Sequence, residues 1–117
     1  MSQTTIERLN PKPRYTPVVI ANGTVYIAGQ VSRDTSLDVA GQTADILAQL
    51  DTLLASAGVD KARLVQAMIW LSDMDNAPAM NQVWDAWVVP GQAPARACVE
   101  SKLAAGYLVE IAATAVL

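Results

Sequence analysis

No histidine occurs anywhere in the chain. Its absence removes Ser-His-Asp and Cys-His catalysis in their usual forms. A single cysteine, Cys98, cannot supply a typical zinc ligand set without histidine, and no metal is expected. One cysteine also excludes an internal disulfide, in keeping with a reducing compartment. No apolar run approaches the ~20 residues of a membrane span. Met1 to Arg14 is polar and lacks a signal-peptide core, so a cytoplasmic protein without a membrane partner is expected. Neither a Walker-type phosphate loop nor a GxGxxG dinucleotide fingerprint appears. Cationic clusters are missing too. The eight basic residues, Arg8, Lys12, Arg14, Arg33, Lys61, Arg63, Arg96 and Lys102, are scattered in a chain of net charge -3 and pI about 4.6. Nucleic acid binding needs such clusters, so no nucleic-acid partner is expected.

What remains is an apolar chain of one-domain length. The 117 residues suffice for a single domain, 1–117, and are too few for two. Hydrophobic residues make up 52%, and the mean hydropathy is +0.25. That is rich for a small monomer with much surface per volume, and the excess reads as a buried oligomer interface.

Thr5 to Leu9 has the character of a short edge strand. Thr16 to Ala21 and Thr24 to Gln30 flank Asn22-Gly23, a strong hairpin signal because both residues tolerate positive φ. Gly29 then marks either a close approach of the backbone to a ligand or neighbour, or a plain bulge. From Val39 to Ala57, apolar residues recur at three and four, which predicts a helix stopped by Gly58. Arg63 to Ser72, with no polar residue from Ala67 to Leu71, suggests a strand buried on both faces. Asp75 or Asn76 should cap a second helix with Pro78 in its first turn. Met80, Val83, Trp84, Trp87 and Val88 form that helix's apolar stripe, read as core. The resulting order fits an α+β fold, one mixed sheet covered on one face by two helices. Its bare face would need a partner subunit.

The chemistry concentrates near the end of the chain. Pro94-Ala95-Arg96-Ala97-Cys98-Val99-Glu100 and Val109-Glu110-Ile111 read as two strands, each with charge in an apolar run. Alternation puts Arg96, Cys98 and Glu100 on one face, and Glu110, Ala112 and Thr114 on one face of the last strand. If the two strands pair, a buried cation stands beside a buried carboxylate. That arrangement suits binding and hydrolysis of a small anion.

These runs, together with Tyr15, Tyr26-Ile27-Ala28-Gly29-Gln30 and Asn81, resemble the RidA/YjgF family of reactive-intermediate (enamine/imine) deaminases. The likeness runs from about Tyr15 onward, and the segment Ala79 to Val89 resembles the YoaB-like branch. The resemblance implies a chorismate-mutase-like, trimer-forming fold with a site in each cleft between subunits, and no cofactor. It implies that Arg96 holds the substrate carboxylate, the alternative being an ion pair with a core carboxylate. Glu110 would position or activate the attacking water, the alternative being a pair with Arg96. Cys98 would line the pocket or be an inert core residue. Gly29, Tyr15 and Asn81 would lie at the cleft, though Tyr15 could merely pack and Asn81 be merely solvated; Glu100 could be structural.

The implied reaction is hydrolytic deamination of 2-imino or enamine acids, such as those derived from 2-aminoacrylate or 2-aminocrotonate, to 2-oxo acids and ammonia. The alternative is a non-enzymatic trimeric module that binds small carboxylates such as 2-oxo acids, in a regulatory or chaperone-like role. Some relatives carry an endoribonuclease or translation-inhibitor label, against which the acidic pI and missing histidine weigh. Three departures from the family pattern stand out. Ala28 replaces a common serine, the segment 32–41 is short, and the turn 101–108 is slightly short and lacks the usual Leu-Pro. They bear on pocket depth and substrate range.

Overall fold

The computed structural model describes residues 3–117. Six strands form one sheet: β1 (Ile6–Leu9), β2 (Val18–Ala21), β3 (Thr24–Val31), β4 (Leu64–Leu71), β5 (Ala95–Glu100) and β6 (Val109–Val116). Two helices, α1 (Val39–Ser56) and α2 (Ala77–Trp87), follow β3 and β4. The order across the sheet is β1-β2-β3-β6-β4-β5. All pairs are antiparallel except β4 with β5, which run parallel on either side of the α2 crossover. The expected α+β architecture, a mixed sheet with two helices, is the observed one.

Local signals explain most elements. Asn22 and Gly23 both have positive φ, at 52° and 72°, which matches the twist of the flanking strands. Asp38 caps α1 by accepting from the Gly41 N–H. The helix ends where Gly58, φ +79°, lets its own N–H reach Ala55 O and the Val59 N–H reach Leu54 O, a Schellman closure. The start of α2 differs from expectation. Asn76 sits at the cap position but its side chain makes no cap bond. A preceding 3₁₀ turn, Met74–Asn76, is instead held by Asp73, which accepts from the Asp75 N–H.

The apolar stripes of α1 and α2 cover one face of the sheet. Ile46, Leu50 and Leu54 from α1 and Met80 and Trp84 from α2 pack against Val25, Ile27, Ile69, Leu71, Val109 and Ile111. Gln42 lies within this layer, fully buried. It donates to Leu37 O and Gly106 O and accepts from the Leu108 N–H. The segments 32–41 and 101–108 are thereby tied to the same helix, and Gly106 lies so close to Thr35 that a Cβ there would meet Thr35 Cβ at 3.0 Å. The two segments are one packed unit.

Among the described residues, the other face carries no helix. β6 alternates strictly between buried and half-buried positions. On β4, Met68 and Trp70 are half-buried and Val65 and Gln66 exposed. The expectation of a strand buried on both faces is therefore corrected: within one subunit β4 is covered on its helix side only, and its outward residues are apolar enough to hide the alternation. Tyr26, Gln66, Met68 and Thr114 line a hollow of about 270 Å³ on this open face.

Candidate functional site

β5 is an edge strand, and its register sets the direction of its side chains. Arg96, Cys98 and Glu100 lie opposite Ala67, Ile69 and Leu71 of β4, all three buried toward the helices. Arg96 therefore shares the helix side. Its Nη1 donates to Asn81 Oδ1 of α2 at 2.7 Å, and its guanidinium carbon stands 5.4 Å from the centre of the Trp84 ring. No carboxylate lies within ion-pair distance of Arg96 among the described residues. Arg96 is exposed rather than buried, because nothing lies beyond the sheet edge in one subunit.

Cys98 is half-buried two residues on. Burial pushes its thiol up from the usual value, and the nearby Arg96 charge only partly opposes this. A thiol held protonated is a poor nucleophile. Glu100 Oε1 accepts from the Met74 N–H at 3.0 Å. It anchors the turn that leads into α2, and so helps set the helix that carries Asn81.

Glu110 lies elsewhere. β5 and β6 do not pair; β4 runs between them. Arg96 is level with Ala67, while Glu110 is level with Trp70, three residues along β4. Ala67 faces the helices and Trp70 the open side. At ~4.8 Å per strand and ~3.3 Å per residue, the two backbone positions are roughly 14 Å apart, with side chains on opposite faces. The expected buried cation beside a buried carboxylate is thus corrected for the single subunit. The condition for it, pairing of β5 with β6, is not met: the α2 crossover carries β5 to the outside of β4, and β6 returns to the inside. A mutual Arg96–Glu110 pair is absent for the same reason.

Gly29 belongs with Glu110. β3 continues past it to Val31, and the register with β6 shifts between Ile27 and Gln30. Ala28 and Gly29 together oppose one residue of β6, a β-bulge. A Cβ at Gly29 would fall on Glu110 Oε2, so the missing side chain makes room for the carboxylate. Ala28, half-buried in the same bulge, brings no hydroxyl to that carboxylate. Tyr15 sits on the β1–β2 loop, 54% exposed, its carbonyl accepting from the Lys12 N–H at 2.8 Å.

One subunit therefore presents two separate groups, Arg96 with Asn81 and Cys98 on one face, and Glu110 with Gly29 on the other. Reading the sequence missed the part played by Trp84, taken as core alone. It is core, at 4% exposed, yet it also supports Arg96. Its position three residues after Asn81, on one helix face, was the available signal. Among the described residues no group of three or more His, Cys, Asp or Glu is placed to hold a metal. No helix there is long and apolar enough to cross a membrane.

Comparison with known proteins gives a consistent likeness. A family model described as endoribonuclease L-PSP matches residues 5–117. A RutC family protein of Haemophilus ducreyi is 41% identical over 113 residues, covering 96% of this chain and 97% of the relative. The RutC family protein YoaB of Escherichia coli is 42% identical over 99 residues, covering 85% and 86%. A crystal structure of a YjgF-family member from Neisseria meningitidis superposes with a TM-score of 0.93 at 48% identity, covering 96% and 94%.

Proposed function

Because the chain belongs to the endoribonuclease L-PSP family, the group of the YjgF and RutC proteins, we propose that it hydrolyses 2-imino acids to 2-oxo acids and ammonia. The observation that carries this reading is the state of Arg96. Its guanidinium is held by a neutral amide and an aromatic face, with no carboxylate partner among the described residues. A cation positioned but not neutralised is suited to take a substrate carboxylate in a bidentate fork.

Glu110 supplies the second element. It holds a water against the C=N carbon and takes a proton from it as the water's oxygen bonds to that carbon, and the proton is passed to the nitrogen, giving the carbinolamine. The carbinolamine then collapses: its hydroxyl proton passes to the amino nitrogen, the C–N bond breaks, ammonia leaves and the C=O bond forms. The imine hydrolyses in water unaided, so orientation and one placed water are enough. Since Arg96 and Glu110 occupy opposite faces of one subunit, the site joins Arg96, Asn81 and Cys98 of one copy to Glu110 and Gly29 of the next, closed by Tyr15. A trimer with three such clefts also covers the open sheet face. No cofactor enters this scheme.

The reading is tested by generating 2-iminobutanoate in situ with an amino acid oxidase and trapping it with semicarbazide. The wild type should speed loss of the trapped imine, and Arg96→Ala should not. Full activity in the variant would remove Arg96 from the site. Binding of 2-oxobutanoate without acceleration of any imino acid would favour a carboxylate-binding module. An endoribonuclease activity is disfavoured by the net charge of -3 and the missing histidine, since both phosphate affinity and the usual acid–base group are lacking.

A further inference from the structure

We propose that Trp84 is a positioning residue, its indole face setting the plane of the Arg96 guanidinium and, through it, the plane of the bound carboxylate. The inference rests on the reading of Arg96 as the carboxylate anchor. Two restraints of different kind meet on this side chain. Asn81 Oδ1 accepts from Nη1 in the guanidinium plane at 2.7 Å. The Trp84 ring lies against it, 5.4 Å from centroid to Cζ. Asn81 alone would leave the plane free to rotate about that one bond. The ring's negative face attracts the cation and resists tilting.

The support itself is braced. Trp84 is buried in the core, and its ring meets that of Trp87 at 5.5 Å between centroids. Trp87 in turn donates from Nε1 to Asp51 Oδ2 on α1 at 3.2 Å, and the Lys61 ammonium stands 5.1 Å over its ring. The Nε–Nη2 edge of Arg96 has no protein partner among the described residues. That edge is the fork a carboxylate engages, and the engagement is close to coplanar. In a 2-imino acid the carboxylate carbon is bonded to the C=N carbon. Conjugation favours a C=N group coplanar with that carboxylate, so orienting the carboxylate plane biases the faces from which water can add.

The test uses the full chain with Trp84→Leu, Trp84→Phe, and tryptophans of increasing ring fluorination incorporated at position 84. Fluorination keeps the ring's shape and weakens its negative face, so packing and cation attraction are separated even if Trp84→Leu fails to fold. Binding of 2-oxobutanoate and the kcat and KM for 2-iminobutanoate are measured. Trp84→Leu should weaken binding about tenfold and also lower kcat, while Trp84→Phe stays within about threefold of wild type. The fluorinated series should weaken binding in graded steps at unchanged melting temperature. A flat series with normal binding and turnover overturns the role of Trp84 and leaves the deaminase reading standing. A wild type that neither binds 2-oxobutanoate nor turns over the imine overturns both.

Discussion

Arg96→Ala and Glu110→Ala should each inactivate the protein, and a reassorted mixture of the two should regain activity. The geometry demands it if both side chains act on one substrate. Their backbone positions are separated by one intervening strand and three residues of register, with side chains on opposite sides of the sheet. No rotamer spans a sheet, so the pair must come from two copies. A charge-assisted hydrogen bond to a carboxylate contributes about 1.5–3 kcal/mol, so losing Arg96 should cost ~100-fold in kcat/KM. In the proposed ring of subunits each site would take Arg96 from one copy and Glu110 from its neighbour. In a random equal mixture, half the copies keep Arg96 and half keep Glu110, so about one site in four is intact. The assay mixes differently tagged variants, exchanges subunits in mild denaturant, purifies doubly tagged oligomers and follows trapped 2-iminobutanoate. Every mixed trimer then holds one intact site in three, so recovery to about a third of the wild-type rate is expected. Verified mixed oligomers that stay as inactive as the parents would refute the shared site.

Gly29→Ala should lower kcat more than KM, because the new Cβ falls on the Glu110 carboxylate without touching Arg96; steady-state kinetics separate the two effects. Gln42→Leu should destabilise the fold by about 2–3 kcal/mol, since Leu37 O, Gly106 O and the Leu108 N–H lose their shared partner; urea denaturation measures it. Asp45 lies well below the usual carboxylate range, held first by the side-chain bond from Arg33 and then by the Arg33 N–H. Its contribution is complete above the unfolded value of about 3.9 and lost as pH falls below it, so Asp45→Asn should flatten the acid limb of a stability–pH curve.

Local elements were legible because their signals are local. Asn22-Gly23 specified its hairpin, and the three-four spacing from Val39 specified α1 to within a residue. The β-strand segments were also legible, as was the alternation in β5 and β6, whereas in β4 the apolar outward residues concealed it. Strand order was not, since it depends on pairings between distant segments. Whether β5 and β6 pair was open in the sequence, and β6 inserts between β3 and β4. Its alternately buried residues, Val109, Ile111, Ala113 and Ala115, serve the centre of the sheet better than the edge. The bulge at Ala28-Gly29 was equally hidden. A glycine in an apolar run allows a bulge or a close approach, and here it provides both, the approach being that of Glu110. The motif residues were found, but the faces they occupy followed only from register.

Within one chain, the separation of Arg96 from Glu110 prevents a direct ion pair between the two side chains. Two opposite charges about 4 Å apart at a partly shielded site attract by about 4 kcal/mol at an effective dielectric of 20. A substrate carboxylate would then have to displace Glu110 before reaching Arg96, and the glutamate, tied to the guanidinium, would be a poorer base for water. Placing the two on opposite faces removes this short circuit within the subunit. Asn81 and Trp84 then do what a carboxylate cannot: they orient Arg96 while leaving its charge uncompensated. Replacing Asn81 by Asp provides the direct check. It keeps the acceptor at the same place and adds a negative charge, so 2-oxobutanoate should bind at least tenfold more weakly, by about 1.4 kcal/mol. Arg96 itself should stay ordered and the melting temperature should hold or rise. Unchanged affinity for the carboxylate in Asn81→Asp would show that the neutral clamp is incidental.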